Sequence, residues 1–135
     1  MIEMTKSIST DILIVEDDED ILETVSSFFS KLGFNTISCK NGEEALIKFK
    51  EHLETDPIKI VITDMAMPKL NGIELIREIY NLKQQTAFIV CSAYQELKED
   101  LCSFPCVRRI HTKPIDMTTV LQDVLTIFKE REWEL

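Results

Sequence analysis

The chain has 135 residues, and its 24 Asp and Glu against 15 Lys and Arg give a formal net charge of −9. This length suits one domain with a proper core, so we expect one domain to carry the whole function. Because the overall field is acidic, direct binding to nucleic acid or to an anionic membrane surface is not expected. No signal-peptide pattern opens the sequence and no apolar run approaches the roughly 20 residues of a membrane span, which favours a cytoplasmic protein.

The sequence contains four cysteines, which are Cys39, Cys91, Cys102 and Cys106. Without a secretory context, reduced thiols are the expectation. A zinc site at Cys102, Cys106 and His111 is disfavoured, because the spacing is not a paired CxxC arrangement and no fourth ligand is apparent.

Residues 1–10 look like a polar leader, 11–130 form the predicted domain and 131–135 a short tail. Within the domain, hydrophobic periodicity predicts five strands that alternate with five helices. The predicted strands are 11–15, 34–39, 58–63, 86–91 and 107–112. The predicted helices are 21–32, 41–52, 71–82, a short one on Leu97, Leu101 and Phe104 that Pro105 ends, and a final one that begins at Asp116 and includes Phe128. This alternation predicts parallel strands joined by right-handed crossovers in a three-layer α/β sandwich.

Residues suited to phosphate chemistry stand where these strands end. Glu16 and Asp17 follow the first strand, Asp64 the third and Ser92 the fourth, while Lys113 follows the fifth. Because the carboxyl ends of parallel strands share one edge of the sheet, we expect these groups to gather there. Taken singly, each has a simpler explanation, since acids and serines cap helices and a lysine can be solvated. Their convergence is what indicates function.

Three clustered carboxylates need a cation to remain ionised together, because two like charges 4 Å apart repel by about 4 kcal/mol at an effective dielectric near 20. Lys113 supplies one positive charge. An all-oxygen site with water access also matches Mg²⁺, a hard ion that commonly binds one or two carboxylates together with phosphate and water. In such a site the carboxylate of Asp64 could attack an incoming phosphorus and form an aspartyl phosphate.

The chain resembles the receiver domain of bacterial two-component response regulators, chemotaxis regulators among them, over nearly all of residues 10–130. Four motifs carry the resemblance. ILIVEDD at 12–18 is similar to the family's first strand with its acidic pair, and DMAMPKLNG at 64–72 matches the DxxMPxxxG phosphoacceptor loop. CSA at 91–93 matches the hydroxyl position, and TKP at 112–114 the lysine-proline pair. The resemblance implies a flavodoxin-like, doubly wound parallel sheet with five helices and five strands in the order 2-1-3-4-5, which is also the order in a chemotaxis receiver.

The resemblance also implies the roles of the site residues. Asp64 would be the phosphoacceptor, Asp17 and Asp64 direct Mg²⁺ ligands, Glu16 a ligand through water, and the carbonyl of Ala66 another ligand. Ser92 would contact the phosphoryl group.

Lys113 would also contact that group, and the bond before Pro114 would be cis. The phosphoryl group would come from a sensor histidine kinase or a phosphotransfer protein, and the domain would catalyse only its own phosphorylation and dephosphorylation. The fourth helix, fifth strand and final helix would form the signalling face, which binds a downstream protein or a second copy of the chain.

The sequence departs from the family at Ile110, where an aromatic residue usually couples phosphorylation to the signalling face. A receiver-like interaction module that works without phosphorylation is therefore an alternative. Haloacid-dehalogenase-like phosphatases need a second Asp two positions after the nucleophile, where this chain has Ala66. A flavin-binding module would need a hydroxyl- and Gly-rich phosphate loop after the first strand, where this chain has acids. We further expect a long-lived aspartyl phosphate, because Ala66 has no polar atom to orient a water and Tyr94 could cover its approach.

Overall fold

The protein is described by a computed structural model that covers residues 11–67, 69–93 and 103–131. Its strands are β1 (Ile12–Val15), β2 (Thr36–Cys39), β3 (Ile60–Asp64), β4 (Ala87–Ser92) and β5 (Val107–Thr112). Its helices are α1 (Glu19–Lys31), α2 (Gly42–His52), α3 (Gly72–Leu82) and the C-terminal helix α4 (Met117–Arg131). None of the helices in these residues combines the length and apolar character that a membrane span requires.

All strand pairs are parallel, and the sheet order is β2-β1-β3-β4-β5. This confirms the order that the family resemblance implies. The three inner strands, β1, β3 and β4, are buried along their whole length. Their nearly continuous Ile, Val and Leu content follows from this, because helices cover both faces of the sheet.

Two hydrophobic cores lie on opposite faces of the sheet. One is built around Phe49, Leu75 and Ile79 and packs α2 and α3 against the sheet. The other is built around Phe29 and Val124 and packs α1 and the C-terminal helix against it. Together they make the predicted three-layer sandwich.

Four helices lie in the described residues, where five were predicted for the chain. The predicted fourth helix falls largely on residues 94–102, outside the described residues. Phe104, which was assigned to it, is not helical: its carbonyl accepts a hydrogen bond from the Val107 amide (3.1 Å), and its ring contacts that of Tyr80 with centroids 6.5 Å apart. Phe104 therefore belongs to the turn that leads into β5.

Capping side chains fix where the helices begin. Asn71 and Glu74 form the predicted capping box, each accepting a hydrogen bond from the other's amide, at 2.9 and 3.0 Å. Asn41 caps α2 by accepting from the Glu44 amide (2.8 Å), but the Glu44 carboxylate accepts from the Lys40 amide (3.3 Å). The second box is therefore only half formed.

Candidate functional site

The predicted site residues meet at the C-terminal edge of the sheet. Glu16 directly follows β1, Asp64 and Ser92 are the last residues of β3 and β4, and Lys113 directly follows β5. Glu16, Asp64 and Ser92 are nearly inaccessible, with exposures of 4%, 7% and 3%. Removing these polar groups from water costs free energy, so each of them needs a hydrogen-bond or charge partner in the protein.

Lys113 links two of the acids. Its Nζ lies 3.0 Å from Glu16 Oε1 and 3.1 Å from Asp64 Oδ2. The peptide bond that follows it, Lys113-Pro114, is cis, as the family resemblance implies. The lysine therefore partly neutralises two carboxylates that come from different strands.

The protonation equilibria of the site follow from burial and from this pairing. Burial raises the pKa of Glu16 and the nearby Asp64 raises it further, while hydrogen bonds from Lys113 and the Asp18 amide act in the opposite direction. Burial alone would lower the pKa of Lys113, but its hydrogen bonds to Glu16 and Asp64 raise it overall. The lysine is thus held in its charged form.

Three carboxylates form a compact acidic cluster beside the lysine. One oxygen from each of Glu16, Asp17 and Asp64 lies within 4.8 Å of the others, and Asp17 is the exposed member. Asp18, next in sequence, takes a different role: its Oδ1 accepts from the Asp20 and Ile21 amides at 3.0 and 3.2 Å and caps α1. Of the acids at 16–18, two therefore belong to the cluster and one to the helix.

The remaining carboxylate oxygens are partly engaged by the backbone. Asp64 Oδ1 accepts from the amide of Met65 (2.7 Å), and Glu16 Oε2 accepts from the amide of Asp18 (3.2 Å). Since Lys113 contacts Glu16 Oε1 and Asp64 Oδ2, both oxygens of each of these two acids have protein partners. This leaves Asp17, which is exposed, as the acid most open to a ligand.

Ser92 and Ala66, the other two predicted site residues, lie at the end of β4 and in the loop after β3. Ser92 pairs in register with Thr112, and its carbonyl accepts the Lys113 amide (2.8 Å). Ala66 lies exposed in the loop between β3 and α3, two residues after Asp64. Tyr94 lies outside the described residues.

β5 is joined to the C-terminal helix by pairs of polar side chains that the sequence analysis did not predict. Asp123 lies 2.5 Å from His111 Nε2 and 3.4 Å from Arg109 Nε. Arg108 pairs with Glu130. Ile110 is half-buried and packs against the core on the α2 and α3 side of the sheet. His111, considered above only as a disfavoured zinc ligand, contacts the C-terminal helix through Asp123.

Comparison with known families gives a match to the response regulator receiver domain over residues 12–124. The chain belongs to this family. Curated relatives of this receiver domain include response regulator RR06 of Streptococcus pneumoniae, 29% identical over 87% of this chain and 52% of the relative. Regulatory protein VanRB of Enterococcus faecalis is 30% identical over the same shares. The chain thus spans about half the length of these relatives.

Solved structures similar to this receiver domain include complexes with Mg²⁺. A CheX-CheY-BeF3-Mg²⁺ complex from Borrelia burgdorferi has 32% sequence identity, covers 93% of both chains and gives a TM-score of 0.79. The response regulator TrrA of Thermotoga maritima, in complex with Mg²⁺-BeF, has 28% identity, covers 87% of this chain and 98% of that chain, and gives a TM-score of 0.76. Both share the receiver fold described above.

Proposed function

We propose that this receiver domain accepts a phosphoryl group on Asp64 from a phosphohistidine, with Mg²⁺ bound at the acidic cluster. The observation that carries the proposal is the position of Lys113 Nζ, within 3.1 Å of carboxylate oxygens of both Glu16 and Asp64. A lysine that already bridges two acids at a sheet edge is placed to contact a phosphoryl group attached to either of them. Receiver domains act in two-component signalling, and this site supports that activity in this chain.

In the transfer step, a carboxylate oxygen of Asp64 attacks the phosphorus of the donor. The new O–P bond forms as the P–N bond of the phosphohistidine breaks, and the electron pair of that bond returns to the imidazole nitrogen. Lys113 would stabilise the negative charge of the phosphoryl oxygens, and Ser92, the last residue of β4, would donate a hydrogen bond from its hydroxyl to the product. In hydrolysis, a water oxygen attacks the phosphorus as the bond between the phosphorus and the Asp64 oxygen breaks. The electron pair of that bond restores the Asp64 carboxylate, inorganic phosphate leaves, and the proton that the water loses passes to solvent.

The donor set of the cluster fits Mg²⁺. It consists of carboxylate oxygens, which are ligands of a hard cation, and the family resemblance would add the backbone carbonyl of Ala66. As the family resemblance implies, Asp17 and Asp64 would bind the ion directly and Glu16 would bind it through a water. When bound, the ion would neutralise the acids and the incoming phosphoryl oxygens.

The partners follow from the family. We propose a sensor histidine kinase or a phosphotransfer protein as the donor, and a cytoplasmic location where such donors and ATP are available. The output would pass through the face formed by the predicted fourth helix, β5 and the C-terminal helix to a downstream protein or a second copy of the chain. The module that works without phosphorylation is not favoured, because it would not need the lysine and the acids to meet.

The test is phosphorylation by acetyl phosphate with Mg²⁺, read by mass spectrometry on the intact protein. Asp64→Asn should take up no phosphate, while the control Asp56→Asn, which lies before β3 at the opposite edge of the sheet, should behave as the wild type. Equal phosphate on Asp64→Asn and the wild type would show that another residue is the nucleophile. A wild type that takes up no phosphate from acetyl phosphate or a histidine kinase would favour the phosphorylation-independent module.

A further inference from the structure

Gly42, the first residue of α2, lies against the loop that follows Asp64. A Cβ atom at this position would lie 2.1 Å from the Leu70 carbonyl oxygen, 2.9 Å from its carbonyl carbon and 3.0 Å from its Cβ. Because non-bonded Cβ contacts shorter than 3.0 Å essentially do not occur, any larger residue would require α2 and the loop to separate by about 1 Å. The obstacle is mostly backbone, so a rotamer change cannot relieve it.

The loop between β3 and α3 has little freedom to absorb such a shift. The Gly72 amide donates to the Met65 carbonyl (2.9 Å), and the Asn71 capping box fixes the start of α3. Lys69 adopts a φ of 69°, a left-handed conformation that is unfavourable for a residue with a Cβ. Because Met65 is bonded to Gly72 and the start of α3 is capped, we expect a displacement at Leu70 to shift the first part of the loop, which includes Ala66.

The segment from the end of β2 to Gly42 also contacts the segment after β1 that carries Glu16. The carbonyl of Cys39, at the end of β2, accepts the amide of Glu16 (3.0 Å). On the other side of this segment, Glu43 pairs with Lys69 across the loop (3.8 Å). The start of α2 thus lies between the segment that carries Glu16 and the segment that carries Ala66.

We propose that Gly42 is a positioning residue of the phosphoacceptor site. By allowing the backbone of α2 to contact the Leu70 carbonyl directly, it sets the distance between α2 and the loop and so holds Ala66 where its carbonyl can complete the Mg²⁺ ligand set. Gly42 acts only through the loop. This inference rests on the proposed function of the site as a Mg²⁺-dependent phosphoacceptor.

The chain offers a matched control for the general effect of replacing a glycine. Gly33, after α1, has a φ of 99°, and no atom lies within 4 Å of the place that a Cβ would occupy there. Gly33→Ala therefore strains the backbone without pushing on any neighbour, whereas Gly42→Ala pushes on the loop. Both variants should lose stability, but only Gly42→Ala should lose affinity for the metal.

The experiment is titration of the whole chain with Mg²⁺ by isothermal calorimetry, together with the rate of phosphorylation by acetyl phosphate. We expect Gly42→Ala to bind Mg²⁺ about 10- to 100-fold more weakly than the wild type, the range typical of residues that orient ligands. Its phosphorylation should fall by a similar factor at limiting Mg²⁺ and recover in part at saturating Mg²⁺. Gly33→Ala should keep the wild-type affinity for Mg²⁺ even where its unfolding midpoint is as low as that of Gly42→Ala.

A second variant serves if Gly42→Ala proves too unstable to fold. In Gly42→Ala with Lys69→Gly, the glycine relieves the left-handed conformation at 69, so the loop can move away while the fold persists; the metal affinity should remain low. Affinity in either Gly42 variant equal to that of Gly33→Ala would overturn the role of Gly42. A wild type that binds no Mg²⁺ and takes up no phosphate would instead overturn the proposed function itself.

Discussion

At the scale of single residues, the site is defined by an excess of negative charge. Glu16, Asp17 and Asp64 contribute three carboxylates, and Lys113 contributes one ammonium group that contacts two of them. The raised pKa of Glu16 reflects this imbalance, because burial and the charge of Asp64 both disfavour its ionised form. In the metal-free site the carboxylates therefore repel one another, and a bound cation would reduce this repulsion.

Asp17→Asn tests this charge balance. Because Asp17 is exposed, removing its charge relieves repulsion without leaving a buried group unpaired, and we expect the free energy of unfolding without Mg²⁺ to rise by about 0.5–1 kcal/mol. The same change should weaken Mg²⁺ binding. Urea unfolding with and without Mg²⁺ measures both effects, and Glu23→Gln on the exposed side of α1 is the control for loss of one negative charge. A less stable metal-free Asp17→Asn would contradict the repulsion account.

The residues beside Asp64 also bear on how long its phosphate persists. Ala66 is exposed two positions along the loop and has no polar atom to orient a water in line with the phosphorus. We expect the aspartyl phosphate to be long-lived, and the double replacement Ala66→Asn with Tyr94→Glu to speed its hydrolysis about tenfold. Loss of phosphate followed by mass spectrometry gives the rate, and an unchanged unfolding midpoint shows that the fold is kept. Hydrolysis at the wild-type rate would mean that other groups control water access.

At the scale of elements, the sequence predicts best where a pattern is local. The five strands and the caps at Asn41 and Asn71 follow from β-branched runs and from polar residues at fixed spacing. One difference between a predicted and an observed strand start has a local cause. β2 begins at Thr36, two residues after the predicted 34, because the Phe34 amide still donates to the Phe29 carbonyl at the end of α1 (3.1 Å).

The meeting of Glu16, Asp64 and Lys113 was also predictable from local patterns. Each follows or ends a predicted strand, and the carboxyl ends of parallel strands share one edge of the sheet. Contacts that depend on how elements pack were not predictable. The close approach of Gly42 to Leu70 has no signature beyond the glycine itself, and the pairing of Asp123 with His111 joins a strand to a helix 12 residues later. Such contacts depend on the distance and rotation between packed elements, which local patterns do not specify.

The link between β5 and the C-terminal helix gives a prediction at this scale. Ile110 packs as an aliphatic core residue, so it offers no aromatic ring to change place when Asp64 is phosphorylated. We expect hydrogen exchange in β5 and the C-terminal helix to change on phosphorylation, but only modestly, and to change more in Ile110→Tyr. Asp64→Asn treated with the same phosphodonor is the control. Exchange that changes only in the loop after β3 would argue against signalling through this face.

At the scale of the whole molecule, stability rests on two cores, and both contain buried cysteine side chains. Cys39 lies in the core that includes α2 and α3, and Cys91 in the core that includes α1 and the C-terminal helix. Burial raises the pKa of Cys39 to about 11 and that of Cys91 to about 12, from an ordinary 9.0. Folding therefore favours the neutral thiol in both cores.

This linkage predicts a loss of global stability in alkali. Since the folded pKa values exceed the unfolded ones, the stabilising effect is complete below pH 9 and is lost as the pH rises toward 11–12. At pH 10.5, ionisation of each unfolded thiol should lower the free energy of unfolding by about 2 kcal/mol relative to pH 7.5. Urea unfolding under reducing conditions at the two pH values measures the loss.

Cys91→Ala separates the thiol from other groups that titrate in the same range. The variant should be less stable than the wild type at pH 7.5, because it leaves a cavity beneath β4, yet it should lose about 2 kcal/mol less between pH 7.5 and 10.5. Lysine and tyrosine ionisation is common to both proteins and cancels in that comparison. Equal losses in the two proteins would show that Cys91 ionises as readily in the folded chain as in the unfolded one, and that burial in this core does not hold it neutral.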